Sequence, residues 1–268
     1  MTALVIAVCV LVLMIYAVAP GRADETVSAP FLRRNFAHRG LYAPDQSVPE
    51  NSLAAFRLAV ENGYGVELDV HITADDRLAV FHDDDLTRMC GTPGRIEDRT
   101  FEELSSLRLM GTGETIPLLS DVLDVIGGRT PIILELKRGG RNDALCERVR
   151  DALRDYPGDV CIESFDPFIV RWWRKNAPTY FRGQLSAAAG ELRKGTSGIN
   201  AFLLSRLLLD FLARPQFIAY GLCDAKPLTV RLCERMGGVP VAWTSHSPEA
   251  EKTNAAVIFE HYRPGTRY

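Results

Sequence analysis

The sequence predicts an α/β protein, a TIM (β/α)8 barrel with a small insertion after a hairpin at its second strand, preceded by one N-terminal transmembrane helix. Three observations carry the barrel. Nine short β-rich runs, at 36–40, 64–73, 78–82, 131–137, 160–165, 180–186, 217–221, 240–245 and 256–261, alternate for the most part with helix-length segments, the pattern of parallel pairing with covered faces. Runs such as Pro131-Ile132-Ile133-Leu134 are continuously apolar, as burial on both faces of a parallel sheet requires. Only Ala74-Asp75-Asp76-Arg77 separates the second run from the third, and a parallel crossover needs a dozen or more residues. Those two runs therefore form a hairpin, which leaves eight parallel strands. An open doubly wound sheet is the rival, but it usually shows a glycine-rich phosphate loop after its first strand, and none is present.

The elements follow in order. Met1 to Ala19 carries no charged side chain and is almost entirely apolar. About 20 such residues cross a bilayer as a helix, so residues 1–20 read as a transmembrane segment. A cleavable signal peptide is the alternative. Ala17-Val18-Ala19 resembles a cleavage site, but the basic stretch that should precede the apolar run is missing. Arg22, Arg33 and Arg34 follow the segment and nothing basic precedes it, so the positive-inside rule expects a single-pass cell-membrane protein with its barrel in the cytoplasm. Six cysteines, at 9, 90, 146, 161, 223 and 233, form no C-x-x-C pair and read as small buried hydrophobes of a reducing compartment. Residues 21–35 read as a linker and 36–268 as the barrel domain. Within it, Ser52 caps a helix reaching Asn62. The long connection 83–130 holds a turn at Gly91-Thr92-Pro93-Gly94 and helices at Thr100–Leu107 and Ser120–Ile126. Further helical spacing covers Asn142–Asp155 and Pro227–Met236. Ala201–Arg214 is apolar nearly all round, with Arg206, Asp210 and Arg214 in one i, i+4 stripe. It reads as a barrel helix with a buried apolar face, or else as a helix resting on a membrane.

A net charge of −3 and the absence of a long basic run give no electrostatic reason to expect a nucleic-acid partner. The chemistry lies elsewhere. Glu67 and Asp69 are two residues apart on a strand and so share a face. Two carboxylates held together repel unless a cation sits between them, and a hard ion such as Mg²⁺ or Ca²⁺ wants that oxygen set. His38 before the pair and His82 after it titrate near neutrality, as a general base and a general acid must. The plain alternative is a salt-bridged pair on an edge strand with two unrelated histidines. Glu135 lies inside an apolar run, where an ionised carboxylate is costly unless a metal or a charge satisfies it. Lys137, on the same face, offers a simple salt bridge. Glu50, ahead of the Ser52 helix, faces substrate or supports a residue that does, or else favours the helix dipole. His71 lies on the strand of Asp69, two residues on; His246 and His261 read as ordinary.

The chain resembles the glycerophosphodiester phosphodiesterases. The likeness runs through His38-Arg39-Gly40, Pro49-Glu50-Asn51-Ser52 with Ala55-Phe56, Glu67-Leu68-Asp69-Val70 and His82-Asp83. It continues through Ile116-Pro117-Leu118, Leu134-Glu135-Leu136-Lys137, Ser164-Phe165 and Trp243-Thr244. The resemblance implies a small insertion that roofs the mouth of a barrel active site. It also implies one divalent metal ion, Mg²⁺ or Ca²⁺, held by Glu67, Asp69 and Glu135. The implied reaction releases sn-glycerol 3-phosphate and an alcohol from a glycerophosphodiester, by attack of water or of a substrate hydroxyl. Arg39 and Lys137 then meet phosphate, and Trp243 packs on the alcohol or else is a buried core tryptophan; His38 serves as base and His82 as acid. Two departures stand out: Ser245-His246 follows Trp-Thr where the family often has a residue and then Asn, and 186–214 matches no family motif. A lysophospholipase D-type hydrolase and a catalytically silent, membrane-bound binding barrel are the rivals.

Overall fold

A computed structural model describes residues 2–222 and 225–268. Cys223 therefore lies outside the described residues; Cys9, Cys90, Cys146, Cys161 and Cys233 are unpaired. All nine expected strands are present: β1 (Arg34–Ala37), β2 (Gly65–Ile72), β3 (Leu78–Val80), β4 (Ile132–Leu136), β5 (Val160–Ser164), β6 (Arg182–Ser186), β7 (Phe217–Gly221), β8 (Val239–Ser245) and β9 (Ala256–Phe259). β3 pairs antiparallel with β2, the expected hairpin. The other eight are parallel, and β1 closes the barrel by pairing with both β9 and β2.

The barrel interior is a packed core in which Phe36, Ile133, Cys161, Phe181, Leu185, Phe217, Val241 and Ile258 form one cluster. Two glycines make it possible. A Cβ on Gly65 would lie 2.4 Å from the Phe36 ring, and one on Gly183 would lie 2.1 Å from the Phe217 ring. Both strands give up a side chain so that an aromatic ring can fill the axis. A second, larger cluster joins the outer face of the strands to the helices Leu53–Glu61, Leu119–Ile126, Asn142–Leu153 and Pro167–Asn176. Ser52 does cap its helix, accepting from the Ala55 amide at 3.1 Å. Pro167–Asn176 was not anticipated, although Asp166 caps it by accepting from the Phe168 amide and Pro167 opens it.

The insertion has its own small core of Ala79, Phe81, Leu86, Met89, Ile96, Leu104, Leu109 and Ile116. Its helix Phe101–Ser105 starts with a reciprocal capping box between Thr100 and Glu103. The expected helix Ala201–Arg214 is instead two, Gly198–Ser205 and Asp210–Ala213. The break falls at Leu207, which adopts φ 57° and is buried with Ile218, Tyr220, Val230 and Cys233. Burying Leu207 against β7 outweighs helical continuity there, and Asp210, one of the charged stripe, is buried.

The segment 21–35 is structured. Helix Glu25–Ser28 is capped by Asp24, and Phe31 packs on Phe36 and Phe181 across the floor of the barrel. The apolar N-terminal helix runs over Thr2–Val18, 17 residues. Among the described residues no helix is long and apolar enough to cross a membrane, so the expected transmembrane helix is not borne out. Its last turn departs from expectation in a second way. Val18 is fully buried in the cluster around Leu207, and Arg214 donates to the carbonyls of Tyr16 and Ala19 at 2.8 Å each. The helix is thus fixed to the barrel wall at its C-terminal end, while Leu4 to Leu13 remain exposed.

Candidate active site

Strand register brings the acidic residues together. β2 and β4 pair with Asp69 opposite Glu135, and Glu67 lies two residues back on the same face. Glu67, Asp69 and Glu135 are all buried, and ligand oxygens of the three lie within 4.8 Å of one another. Three converging carboxylates with hard oxygen donors suit a divalent cation of the Mg²⁺ or Ca²⁺ kind. The anticipated salt bridge is also present: Lys137 Nζ lies 2.8 Å from Glu135 Oε1 and 3.1 Å from Asp69 Oδ1.

The electrostatics are uneven. Burial, together with the charges of Asp69, Glu163 and Glu135, pushes the Glu67 carboxyl well above the usual range. Burial also pushes up on Asp69, but Lys137, His82, Arg39 and a 2.9 Å bond from Asn51 outweigh it and hold that carboxyl well below. Glu135 is raised by burial against the pull of Lys137. Lys137 is itself buried, yet Asp69 and Glu135 overcome that cost and strengthen its proton. Ionised together, these carboxyls would carry more negative charge than Lys137 and Arg39 balance, which is what a bound cation would correct.

Both histidines flank this cluster. His38 follows β1 and stands 4.0 Å from Glu67 through Nε2; its Nδ1 lies 2.8 Å from Glu260 Oε2. Burial moves its imidazole toward the neutral form, and Glu260 only partly offsets that. His82 Nδ1 lies 2.6 Å from Asp83, and Arg88 grips the same Asp83 at 2.6 and 3.0 Å. Arg88 comes from the insertion and reaches Glu50 as well, at 2.7 and 3.0 Å. Glu50 is buried and also accepts from Arg39 Nη1 at 2.7 Å. It is therefore a junction between two guanidiniums rather than a free helix-terminal charge. Arg39, in the left-handed region at φ 54°, turns its backbone amide onto Glu67 Oε2 at 2.9 Å. Its Nε stands 3.6 Å from Asp69.

Trp243, near the end of β8, meets Phe165 edge to face at 5.6 Å and donates from Nε1 to the Ala219 carbonyl. His71 is fully buried, and burial lowers it to about 4, so it is neutral. Three partners escaped the sequence reading. Glu260 and Arg88 lie outside the motifs. Glu163, opposite Glu135 in the β4–β5 register, is a fourth buried carboxyl, raised well above its usual range by burial and by Glu135 and Asp69. The strand periodicity of β5 contained that signal, since Glu163 and Cys161 share the inner face.

Residues 38–258 match the Glycerophosphoryl diester phosphodiesterase family. Among curated relatives, the glycerophosphodiester phosphodiesterase of Caldanaerobacter subterraneus subsp. tengcongensis is 35% identical over 153 residues, 53% of this chain and 62% of that protein. The one from Bacillus altitudinis is 37% identical over 142 residues, 48% of this chain and 57% of that protein. Lysophospholipase D GDPD1 of Homo sapiens is 32% identical over 139 residues, 47% of this chain and 42% of that protein. The chain thus spans about three-fifths of the length of the first two relatives. Among solved structures, a phosphodiesterase of Oleispira antarctica in complex with the product sn-glycerol-3-phosphate superposes with a TM-score of 0.69 at 24% identity, over 85% of this chain and 93% of that one. The glycerophosphodiester phosphodiesterase of Thermotoga maritima gives 0.63 at 25% identity, over 84% and 93%.

Proposed function

This chain belongs to the glycerophosphoryl diester phosphodiesterase family, and from that premise we propose that it hydrolyses glycerophosphodiesters to sn-glycerol 3-phosphate and an alcohol, with one divalent metal ion, Mg²⁺ or Ca²⁺. The observation that carries the reading is the trio Glu67, Asp69 and Glu135, buried and converging between two histidines that each lean on a carboxylate. A metal held by the trio supplies charge neutralisation at the non-bridging phosphate oxygens. Arg39 and Lys137 add to it, Arg through its fork and Lys as a point charge. His38, kept toward neutrality with Nδ1 engaged by Glu260, presents a bare Nε2 and takes the nucleophile's proton. His82, backed by Asp83, gives a proton to the departing alkoxide. Glu50 holds Arg39 and Arg88 in place, and Trp243 packs on the alcohol.

A lysophospholipase D-type activity is the second reading, and one feature favours it. From Glu135 and Lys137 a groove of about 730 Å³ leads away, with Phe165, Phe168, Leu204 and Leu209 on its apolar side and Arg95, Arg138 and Glu191 on its polar side, roomy enough for more than a small head group. The exposed apolar helix Thr2–Val18 would keep the enzyme at a cell membrane, with the barrel on the cytoplasmic side where its thiols stay reduced. Assay of the purified full chain with glycerophosphocholine, with lysophosphatidylcholine and with chelator separates the readings. Turnover of the first substrate supports the proposal, and preference for the second moves the assignment to lysolipids. No turnover of either would leave a silent binding barrel.

A further inference from the structure

We propose that Glu260, clasped by Tyr42, is a positioning residue for His38: it fixes the ring with its proton on Nδ1 and leaves Nε2 bare toward the carboxylate cluster. The inference rests on the hydrolase reading above. It starts from strand register. β1 and β9 pair with Ala37 opposite Phe259, and the His38 amide donates to the Phe259 carbonyl at 3.0 Å. The residues that follow each strand, His38 and Glu260, are thereby set side by side where the barrel opens. Glu260 is fixed in turn, its amide donating to the Ser245 carbonyl at 3.0 Å.

One carboxylate oxygen is doubly engaged and the other faces two histidines. Oε2 accepts from the Tyr42 hydroxyl at 2.7 Å and lies 2.8 Å from His38 Nδ1. Oε1 lies 3.6 Å from Nε2 of His246 and 3.6 Å from Nε2 of His261, whose rings stack 5.8 Å apart. An ionised carboxylate only accepts, so the nitrogen of His38 that faces it must be the one carrying hydrogen. The ring cannot turn over without losing that bond. Its other nitrogen, 4.0 Å from Glu67, is left with the lone pair. Tyr42 closes the arrangement by standing edge-on to His261 at 5.3 Å. His246 and His261, which looked ordinary in the sequence, thus belong to the wall that holds Glu260. A residue that selects the tautomer of a catalytic histidine affects the chemical step while leaving substrate binding nearly untouched.

The test pairs steady-state kinetics with ¹⁵N NMR of the His38 ring, in the full chain above pH 7. We expect Nδ1-protonated His38 in the wild type. We expect Glu260→Ala to lower kcat about 100-fold or more, within the span of a lost general base, with KM changed less than about 3-fold and metal affinity unchanged. Tyr42→Phe should give a smaller loss of kcat in the same direction, and it covers the case in which Glu260→Ala fails to fold. Nε2-protonated His38 in the wild type overturns the proposal, as does wild-type kcat in either variant. An inactive wild type whose His38 is nonetheless Nδ1-protonated would count against the hydrolase reading, while the placement of the proton by Glu260 would stand.

Discussion

Glu67 is a buried carboxyl whose ionisation the metal-free fold opposes, and that makes a sign-definite prediction. Its carboxyl is raised above the unfolded value, so its ionised form is disfavoured in the folded state. Metal-free stability from this group is therefore fully present below its unfolded pKa and is lost as pH rises toward the folded one. Glu67→Gln, which still accepts from the Arg39 amide, should melt higher than wild type in chelator at pH 7, with the gain fading toward pH 4. A lower Tm at pH 7 would contradict the electrostatic account. Asp69 and Glu260 act with the opposite sign: their carboxyls are depressed, Glu260 to about 2, so their contribution is lost as pH falls. The histidines differ in a way that chemistry can read. If His82 protonates the leaving alkoxide, a nitrophenyl phosphodiester, whose leaving group departs as an anion, should partly rescue His82→Ala and fail to rescue His38→Ala. Each group is worth about 10²–10⁴-fold, so the contrast is large. Equal rescue of both would dissolve the division of labour.

Strands were legible because their signals are local: apolar runs, turn residues and the short gap that forces β3 back along β2. The break at Leu207 was not legible, because it is decided by what Leu207 finds on β7 and on the N-terminal helix. Gly183 illustrates the same limit within a strand. Nothing in Arg182-Gly183-Gln184 announces that the glycine exists to admit the Phe217 ring. Gly183→Ala should cost about 1–3 kcal/mol through overpacking, measured by urea unfolding; an unchanged midpoint would mean that the ring has somewhere else to go. In the insertion, Arg88 ties Asp83 to Glu50. Arg88→Ala should therefore lower activity by loosening His82 and Arg39 together, while leaving the insertion's apolar core folded, as its thermal melt would report.

At the level of the full chain, the sequence motifs located the converging carboxylates and the two histidines beside them, because those residues sit on or next to locally readable strands. They could not supply Glu260, which reaches His38 only when the last strand closes on the first. The N-terminal helix is similarly mixed: apolarity was readable, but the docking of Val18 and the grip of Arg214 on the Tyr16 and Ala19 carbonyls were not. If that helix holds a cytoplasmic barrel at the membrane, a C-terminal reporter active only in the cytoplasm should function in cells and one active only outside should not. The opposite pattern would place the barrel outside the cytoplasm. Everything proposed for the chemistry depends on a cation among Glu67, Asp69 and Glu135, and calorimetric titration of Mg²⁺ or Ca²⁺ into the metal-stripped chain, run beside release of sn-glycerol 3-phosphate from glycerophosphocholine, addresses it. The account predicts one binding event per chain that restores hydrolysis, with binding and turnover both lost in Glu67→Ala and Asp69→Ala. Near-normal hydrolysis in chelator, or in either variant, would contradict it.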